Sequence, residues 1–376
     1  MSGTFKGLEL RSTIMKGGEL LIKLADTEVG EPGSDEVIVR VEATPINPSD
    51  LLLLLGPIDP NSISSATSGE RPALRAQVAA HALASIDARI DQPLVPGNEG
   101  AGLVVAAGSN VQQLIGKRVG MRGGGMYAQY RKLPVRDCMI LPDEATSVDG
   151  ASMFINPLTA LCFIETMRME RHDALIHFAA ASNLGRMLNR LCIVDGIPLI
   201  NVVRNADQAA LLTQDGANCI LDSSVPDFEA RLTEAVASTG ATLCFDPIGG
   251  GRQASVALSA MEAAAARGQS EYNRYGTDLF KQVYVYGLLD QAPILLDRWV
   301  GFAWSVGGWL LTHRLRQVGA ERAAALRQRV VDELKTTFKT SYTRTLTLRE
   351  ALSPDVARAY NRKATGEKYL ITPHIN

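Results

Sequence analysis

The sequence contains little cysteine and no closely spaced cysteine pair. Only five cysteines occur among the 376 residues, at positions 138, 162, 192, 219 and 244, and none forms a C-x-x-C motif. An odd, scattered set argues against a disulfide framework and against a cysteine zinc site. We therefore expect reduced thiols and a cytoplasmic location.

An excess of charge of either sign is also missing. The formal net charge is −2, and the pI is near 6.3. Basic residues form neither a tract nor an alternation with aromatic residues, the patterns that nucleic-acid-binding proteins usually carry. No nucleic-acid partner is expected.

Long apolar runs are absent as well. The two candidates, 51–55 and 299–311, are shorter than the ~20 residues that a membrane-spanning helix needs. Charged residues are mixed through residues 1–25, which is not typical of a signal peptide. Apolar residues nevertheless make up 46% of the chain, enough for a sizeable core, and the length favours two domains. We expect a globular protein with no membrane partner.

The sequence divides into two regions that differ in the spacing of their apolar residues. Residues 1–156 are rich in turns and in alternating apolar positions, as at 36–42. Residues 157–334 instead alternate short apolar runs with helical patterns, which predicts a parallel sheet with right-handed crossovers. Strands are predicted at 175–179, 199–204, 219–221, 242–246 and 283–288, and helices at 186–193, 207–215, 227–237 and 252–267. Strand-like patterns return in 335–376. The fold class is therefore α/β, a Rossmann doubly wound parallel sheet (157–334) inserted in a β-rich domain (1–156 plus 335–376).

The turn after the first strand of the second region indicates a nucleotide site. The mostly small residues at 180–185 allow backbone N–H groups to approach a pyrophosphate at the start of a helix. Arg204 stands at the end of the next strand, where an acid would favour NAD and an arginine favours NADP. We predict NADPH as the cofactor. An ordinary turn in another α/β domain remains the alternative, because Ser182 and Asn183 stand where glycines are usual.

Motifs spread along the chain resemble one family. They are A-T-P-I-N-P-S-D at 43–50, P-L-V-P-G-N-E-G-A-G at 93–102, G-K-R-V-G at 116–120, N-P-L-T-A at 156–160, D-P-I-G-G at 246–250 and Y-G-L-L at 286–289. Their order and spacing resemble the zinc-independent medium-chain dehydrogenase/reductase superfamily, of the quinone oxidoreductase and enoyl-thioester reductase type. This resemblance implies a GroES-like catalytic domain (1–156 plus 335–376) and a Rossmann NADP-binding domain (157–334).

The resemblance also implies a set of site residues. No metal site is expected, because Asn98 stands where zinc-dependent relatives have histidine and the segment 47–50 replaces their cysteine segment. The cofactor-binding residues are predicted to be Thr159, Ala181, Ser182, Asn183, Leu184, Gly185, Arg204, Asn205, Gly249, Gly287 and Lys368.

The predicted reaction is transfer of hydride from NADPH to a quinone or enone substrate. Asn47 is the catalytic candidate, as a hydrogen-bonding partner of the nicotinamide or the substrate carbonyl; alternatively it only shapes its turn. Ile58 occupies the place of the tyrosine that donates a proton in enoyl-thioester reductases. Tyr127 and Tyr130 are possible substitutes, although both are expected to pack on the β-rich domain. The alternatives are an enoyl-thioester reductase and an inactive NADPH-binding sensor or interaction protein.

Two further features concern partners. The stretch between Asp50 and Pro93 is longer than the resemblance requires, and its insert, around residues 59–92, is predicted to contain a helix at 70–89. This insert could cover the cleft, decorate the surface or contact another subunit. A sixth strand within 299–311 would leave an apolar sheet edge, from which we expect a homodimer.

Overall fold

The computed structural model describes residues 4–267 and 269–374. The chain forms two compact units, one comprising Met1–Ile155 with Arg329–Asn376 and the other Asn156–Gln328. The assignment of the first to catalysis and of the second to NADP binding stays a prediction.

Strands predominate in the first unit and alternate with helices in the second. In chain order, the strands are β1 (Phe5–Ile14), β2 (Glu19–Val29), β3 (Glu36–Pro45), β4 (Ser64–Ser68), β5 (Arg71–Gln77), β6 (Glu99–Ala107), β7 (Arg118–Arg122), β8 (Tyr130–Pro134), β9 (Cys138–Ile140), β10 (Leu175–His177), β11 (Leu199–Val203), β12 (Ile220–Asp222), β13 (Leu243–Asp246), β14 (Gly249–Gly251), β15 (Lys281–Val285), β16 (Asp290–Ile294), β17 (Trp304–Gly308), β18 (Arg344–Leu346) and β19 (Tyr369–Ile371). The α-helices are α1 (Pro48–Leu54), α2 (Ser147–Gly150), α3 (Ile155–Met169), α4 (Asn183–Asp195), α5 (Ala206–Gln214), α6 (Phe228–Thr239), α7 (Gln253–Ala266), α8 (Leu311–Gln317), α9 (Ala320–Asp332) and α10 (Pro354–Asn361). Short 3₁₀ helices occur at Pro60–Ser62, Ala80–Arg89, Gln112–Leu114, Val135–Asp137 and Glu350–Leu352.

Two sheets build the first unit. The smaller sheet has the order β1-β2-β5-β4, and the larger has the order β18-β19-β3-β6-β7-β9, with β8 paired to β3. Strand β3 shows the alternation predicted for it, because Val37, Val39 and Val41 are buried in one apolar cluster. Its far end pairs with β19 through Leu370 and Pro45, so residues from the two ends of the chain share one sheet.

A parallel six-stranded sheet forms the centre of the second unit. Its order is β12-β11-β10-β13-β15-β17, which is the doubly wound order of the Rossmann fold. The strands begin in register, as shown by the pairing of Leu175 with Leu199 and with Leu243. The central strands β10, β11 and β13 are buried at every position, which is why they appear as largely apolar runs in the sequence. The predicted α/β fold class is confirmed.

The prediction of a helix at 70–89 is wrong for the first half of that segment. Residues Arg71–Gln77 form strand β5, which pairs antiparallel with β2 and with β4, and only Ala80–Arg89 turns helically, as 3₁₀. The alanines suggested a helix, but Leu74 and Ala76 lie on the buried face of a strand. Tertiary pairing has overridden local propensity here. The insert therefore extends the smaller sheet of the first unit.

His177 lies in the core of the second unit, on strand β10. It is fully buried, and its Nε2 lies 2.8 Å from the Tyr286 hydroxyl. Burial lowers the pKa of His177 to about 3, so that the ring is neutral. The histidine is therefore part of the core.

The helices of both units are short or carry charged residues. Among the described residues, no helix combines the length and the apolar composition that crossing a membrane requires.

Candidate active site and nucleotide-binding turn

Helix α1 starts directly after strand β3, with Asn47 as its N-cap and Pro48 in its first turn. The Asp50 carboxylate accepts a hydrogen bond from the Asn47 backbone N–H at 2.8 Å through Oδ2. Its other oxygen, Oδ1, accepts one from the backbone N–H of Asn98 at 2.8 Å. Asp50 therefore ties the start of α1 to the corner that precedes β6.

The Asn47 side chain lies between two buried charges. Its Nδ2 donates to Glu99 Oε1 at 2.8 Å, and its Oδ1 accepts from Lys368 Nζ at 2.6 Å. Glu99 Oε2 accepts from the backbone N–H groups of Phe154 and Ile155, each at 2.9 Å. Because the cation holds the amide oxygen and the anion holds the amide nitrogen, the orientation of Asn47 is fixed. We call Asn47, Asp50, Glu99 and Lys368 the Asn47 cluster.

Burial dominates the electrostatics of this cluster. Only 2% of Asn47 and 1% of Asp50 are exposed. Desolvation raises the pKa of Asp50 to about 7, the charge of Glu99 adds to that effect, and the two backbone hydrogen bonds oppose it. Desolvation also raises the pKa of Glu99 and lowers the pKa of Lys368. The cluster is therefore a preorganised, water-poor arrangement of donors and acceptors.

The tyrosines weighed as proton donors pack within the first unit. Tyr127 is fully buried, its hydroxyl donates to the Pro45 carbonyl at 3.2 Å, and burial raises its pKa far above the usual value. Tyr130 packs against Phe5 and His374, with ring centroids 5.4 and 5.2 Å apart. Ile58 packs on the apolar core beside the insert. These positions agree with the expectation that both tyrosines pack on the β-rich unit.

In the second unit, the turn between β10 and α4 is tightly packed on itself. Ser182 is the N-cap of α4, and its Oγ accepts from the Gly185 N–H at 3.1 Å. A Cβ on Gly185 would lie 2.2 Å from the Ala180 carbonyl oxygen, so only glycine fits. Ala179 adopts a φ of +50°, a conformation in which glycine is usual. The sequence pattern gave no sign of this strained alanine.

Arg204 follows β11 directly and is exposed. Its backbone N–H donates to Gln208 Oε1 at 2.9 Å, whereas its guanidinium makes no hydrogen bond or ion pair with any residue that the structure describes. Asn205 is the N-cap of α5, with Oδ1 accepting from the Gln208 N–H at 3.0 Å. Arg186, by contrast, is committed to Asp215 through two hydrogen bonds of 2.5 and 3.0 Å. The residues of this turn therefore fit an adenosine 2′-phosphate, with Arg204 as the cation.

The predicted glycines of the next loops pack against each other. A Cβ on Gly249 would approach the Gly287 oxygen to 2.8 Å, and a Cβ on Gly287 would approach the Pro247 oxygen to 2.4 Å. Asp246 accepts from the N–H groups of Ile248 and Gly249, at 2.8 and 3.3 Å, and burial raises its pKa to about 6. The two glycines allow the turns after β13 and β15 to lie side by side.

The remaining predicted residues are distributed over the two units. Thr159 is buried in α3, Ala181 is buried, and Asn183 and Leu184 open α4, all in the second unit. Lys368 lies in the first unit and contacts Asn47. Sequence reasoning missed Glu99 and Asp50 as site residues, although both are acids within otherwise apolar or Gly-rich segments. Among the described residues there is no group of three His, Cys, Asp or Glu side chains placed to hold a metal ion.

Known proteins resemble this chain both in sequence and in fold. The alcohol dehydrogenase GroES-like domain family matches residues 33–143. A mitochondrial enoyl-[acyl-carrier-protein] reductase of Bos taurus is 26% identical over 57% of this chain and 51% of its own length. A quinone oxidoreductase of Pseudomonas aeruginosa is 26% identical over 62% of this chain and 64% of its own. The chain thus matches about half the length of the first of these curated relatives.

Solved structures match over nearly the full chain. The native structure of a mycobacterial protein complexed with NADPH has a TM-score of 0.68 and 19% sequence identity, covering 98% of this chain and 100% of that one. At this identity the likeness establishes the common fold.

Proposed function

We propose that the chain belongs to the medium-chain dehydrogenase/reductase superfamily and is a zinc-independent NADPH-dependent reductase acting on a quinone or another conjugated carbonyl. Support comes from the GroES-like match, from the quinone oxidoreductase relative and from the turn around Gly185. The observation that carries the cofactor choice is Arg204, an exposed arginine whose guanidinium has no partner among the described residues, directly after β11.

The chain's own residues would contribute binding and orientation. NADPH, when bound, would supply the hydride. The turn from Ala181 to Gly185 would present backbone N–H groups to the pyrophosphate, and Arg204 would pair with the 2′-phosphate, assisted by the Asn205 amide. We assign Asn47 the role of a hydrogen-bond donor to the nicotinamide or the substrate carbonyl. Its Oδ1 is occupied by Lys368, so the second N–H of Nδ2 is the donor that it can offer.

The test is steady-state oxidation of NADPH with a panel of quinones, enones and enoyl thioesters. We expect turnover with at least one quinone or enone, tighter binding of NADPH than of NADH, and no stoichiometric zinc by elemental analysis. NADPH binding without turnover on any compound would instead favour an inactive sensor. One bound zinc per chain would contradict the zinc-independent assignment.

Enoyl-thioester reduction is the second candidate, favoured by the enoyl-[acyl-carrier-protein] reductase relative and by the serine at position 182. Ile58 opposes it, because isoleucine cannot donate a proton where that branch has tyrosine. Preference for enoyl thioesters over all quinones in the same panel would select this candidate.

We also propose that the protein is a homodimer that pairs through β17. This strand is at the edge of the parallel sheet, and large apolar side chains beside it are exposed, with Trp299 at 90% and Phe302 at 79%. Light scattering should give a dimer mass, and Phe302→Glu should give a monomer. Ile115→Glu is the matched control, because Ile115 is also an exposed apolar residue (54%) but lies in the other unit. A wild-type monomer would contradict the proposal.

A further inference from the structure

Arg89, the last residue of the 3₁₀ helix in the insert, contacts the C-terminal end of helix α1. Its Nη1 donates to the Leu52 carbonyl at 2.9 Å, and its Nη2 donates to the Leu53 carbonyl and, at 2.9 Å, to Ser12 Oγ. Ser12 Oγ in turn donates to the Leu54 carbonyl at 2.8 Å. The terminal carbonyls of α1 thus receive their hydrogen bonds from side chains far away in sequence.

These contacts matter because α1 is only seven residues long. A helix of this length is not stable in isolation, and its terminal carbonyls carry the partial negative charge of the helix dipole. Arg89 forms no ion pair with any described residue, and burial lowers the pKa of its guanidinium. Its charge is therefore matched mainly by these carbonyl dipoles.

Apolar packing joins the same two segments. Leu51 and Leu54 of α1 lie in one buried cluster with Val78 and Ala82 of the insert. Val78 of the insert also forms an isolated antiparallel β-bridge with Ile58, shortly after α1. Consequently α1 is held from one side by the insert, while its other end carries Asn47 and Asp50.

We propose that Arg89 is a positioning residue: by holding the C-terminal carbonyls of α1, it fixes Asn47 and Asp50 at the opposite end of the helix. The insert would thereby support the candidate site from behind. This inference rests on the proposed function only for its kinetic consequence. Its structural part concerns the first unit alone.

The experiment compares Arg89→Ala and Arg89→Lys with Arg71→Ala. The control removes a partly exposed arginine of the same insert, which pairs with Asp26 and makes no hydrogen bond to α1. Displacing a site residue by about 1 Å can lower rates by about 100-fold. We expect kcat to fall at least about tenfold in Arg89→Ala, with NADPH affinity within about twofold of wild type. Arg89→Lys should recover part of the loss, because lysine keeps the positive charge but lacks the planar guanidinium that donates to two carbonyls at once.

Hydrogen exchange provides the readout that does not depend on turnover. Amides of residues 51–56 should exchange faster in Arg89→Ala than in wild type or Arg71→Ala, whereas amides of β10 and β11 should be unchanged. If Arg89→Ala does not fold, Arg89→Lys serves for the same comparison. Unchanged exchange at 51–56 would overturn the proposal. If the wild type reduced no compound of the panel, the proposed function would fail, and exchange would still decide the role of Arg89.

Discussion

In the first unit the charged residues of the candidate site are buried and hydrogen-bonded to Asn47 or to backbone N–H groups. In the second unit Arg204 is exposed, and its guanidinium has no partner among the described residues. Lys368 and Glu99 hold Asn47 from both sides, so removing either leaves a buried group without its partner. Arg204 is exposed to solvent, so its removal leaves no buried group without a partner. The two regions should therefore respond differently to mutation, the first mainly in stability and rate, the second mainly in affinity.

The sharpest way to break this comparison is Glu99→Gln. Glu99 and Lys368 attract one another across Asn47 without a direct ion pair. Removing one of two such buried opposite charges costs up to about 3–5 kcal/mol, because Lys368 keeps its charge in a water-poor site. We expect the free energy of unfolding, measured in urea, to fall by about that amount. Arg204→Ala, the matched change in the other unit, should stay within about 0.5 kcal/mol of wild type. If the free energy of unfolding fell equally in the two variants, the difference in burial between the two regions would not affect stability.

The pH dependence of stability should come partly from Asp50. Its folded pKa is about 7, against an ordinary value of 3.8, so the folded state binds more protons than the unfolded state between these values. The free energy of unfolding contributed by Asp50 therefore falls as the pH rises from 4 to 7, by up to about 4 kcal/mol. Urea titrations across this range should show a weaker fall for Asp50→Asn. Parallel curves for the two proteins would contradict the raised pKa.

Asn47→Ala tests the rate side of the comparison. Loss of one preorganised donor in the transition state costs about 2.7–4 kcal/mol, or about 100- to 1,000-fold in kcat. NADPH affinity should change little. The control is Asn98→Ala, which removes a neighbouring amide whose Nδ2 donates to Ser49 Oγ at 3.0 Å. If Asn47→Ala kept the wild-type kcat, the role of Asn47 would be limited to shaping its turn.

Arg204→Ala tests the affinity side. A charge-assisted contact with the 2′-phosphate contributes about 1.5–3 kcal/mol, so NADPH should bind about 10- to 150-fold more weakly while NADH is nearly unaffected. Titration calorimetry measures both constants. Arg231→Ala is the control, because it removes the same charge from an exposed helical position of the same unit. Equal weakening for the two cofactors would exclude the assignment of Arg204.

The same contrast decides how much of the molecule could be predicted from its sequence. The central strands of the parallel sheet are buried on both faces, so 199–203 and 243–246 stand out as largely apolar runs. Arg204 is identified by its place after the first of them. The Asn47 cluster has no such local signal, because Lys368 and Asn47 are 321 positions apart in sequence. Strand β5 could not be predicted for the same reason: its partner β2 is remote in sequence, and its alanines favour a helix locally.

The pairing of β19 with β3 also sets an order of events during synthesis. A ribosome releases the contiguous second unit before it reaches Tyr369, so that unit can fold on the nascent chain. In the larger sheet of the first unit, Thr44 and Pro45 of β3 lack their partners until β19 emerges, and Lys368 arrives at Asn47 at nearly the same moment. Closure over so many residues is slow, so this corner of the larger sheet forms late and leaves the end of β3 unpaired in the meantime.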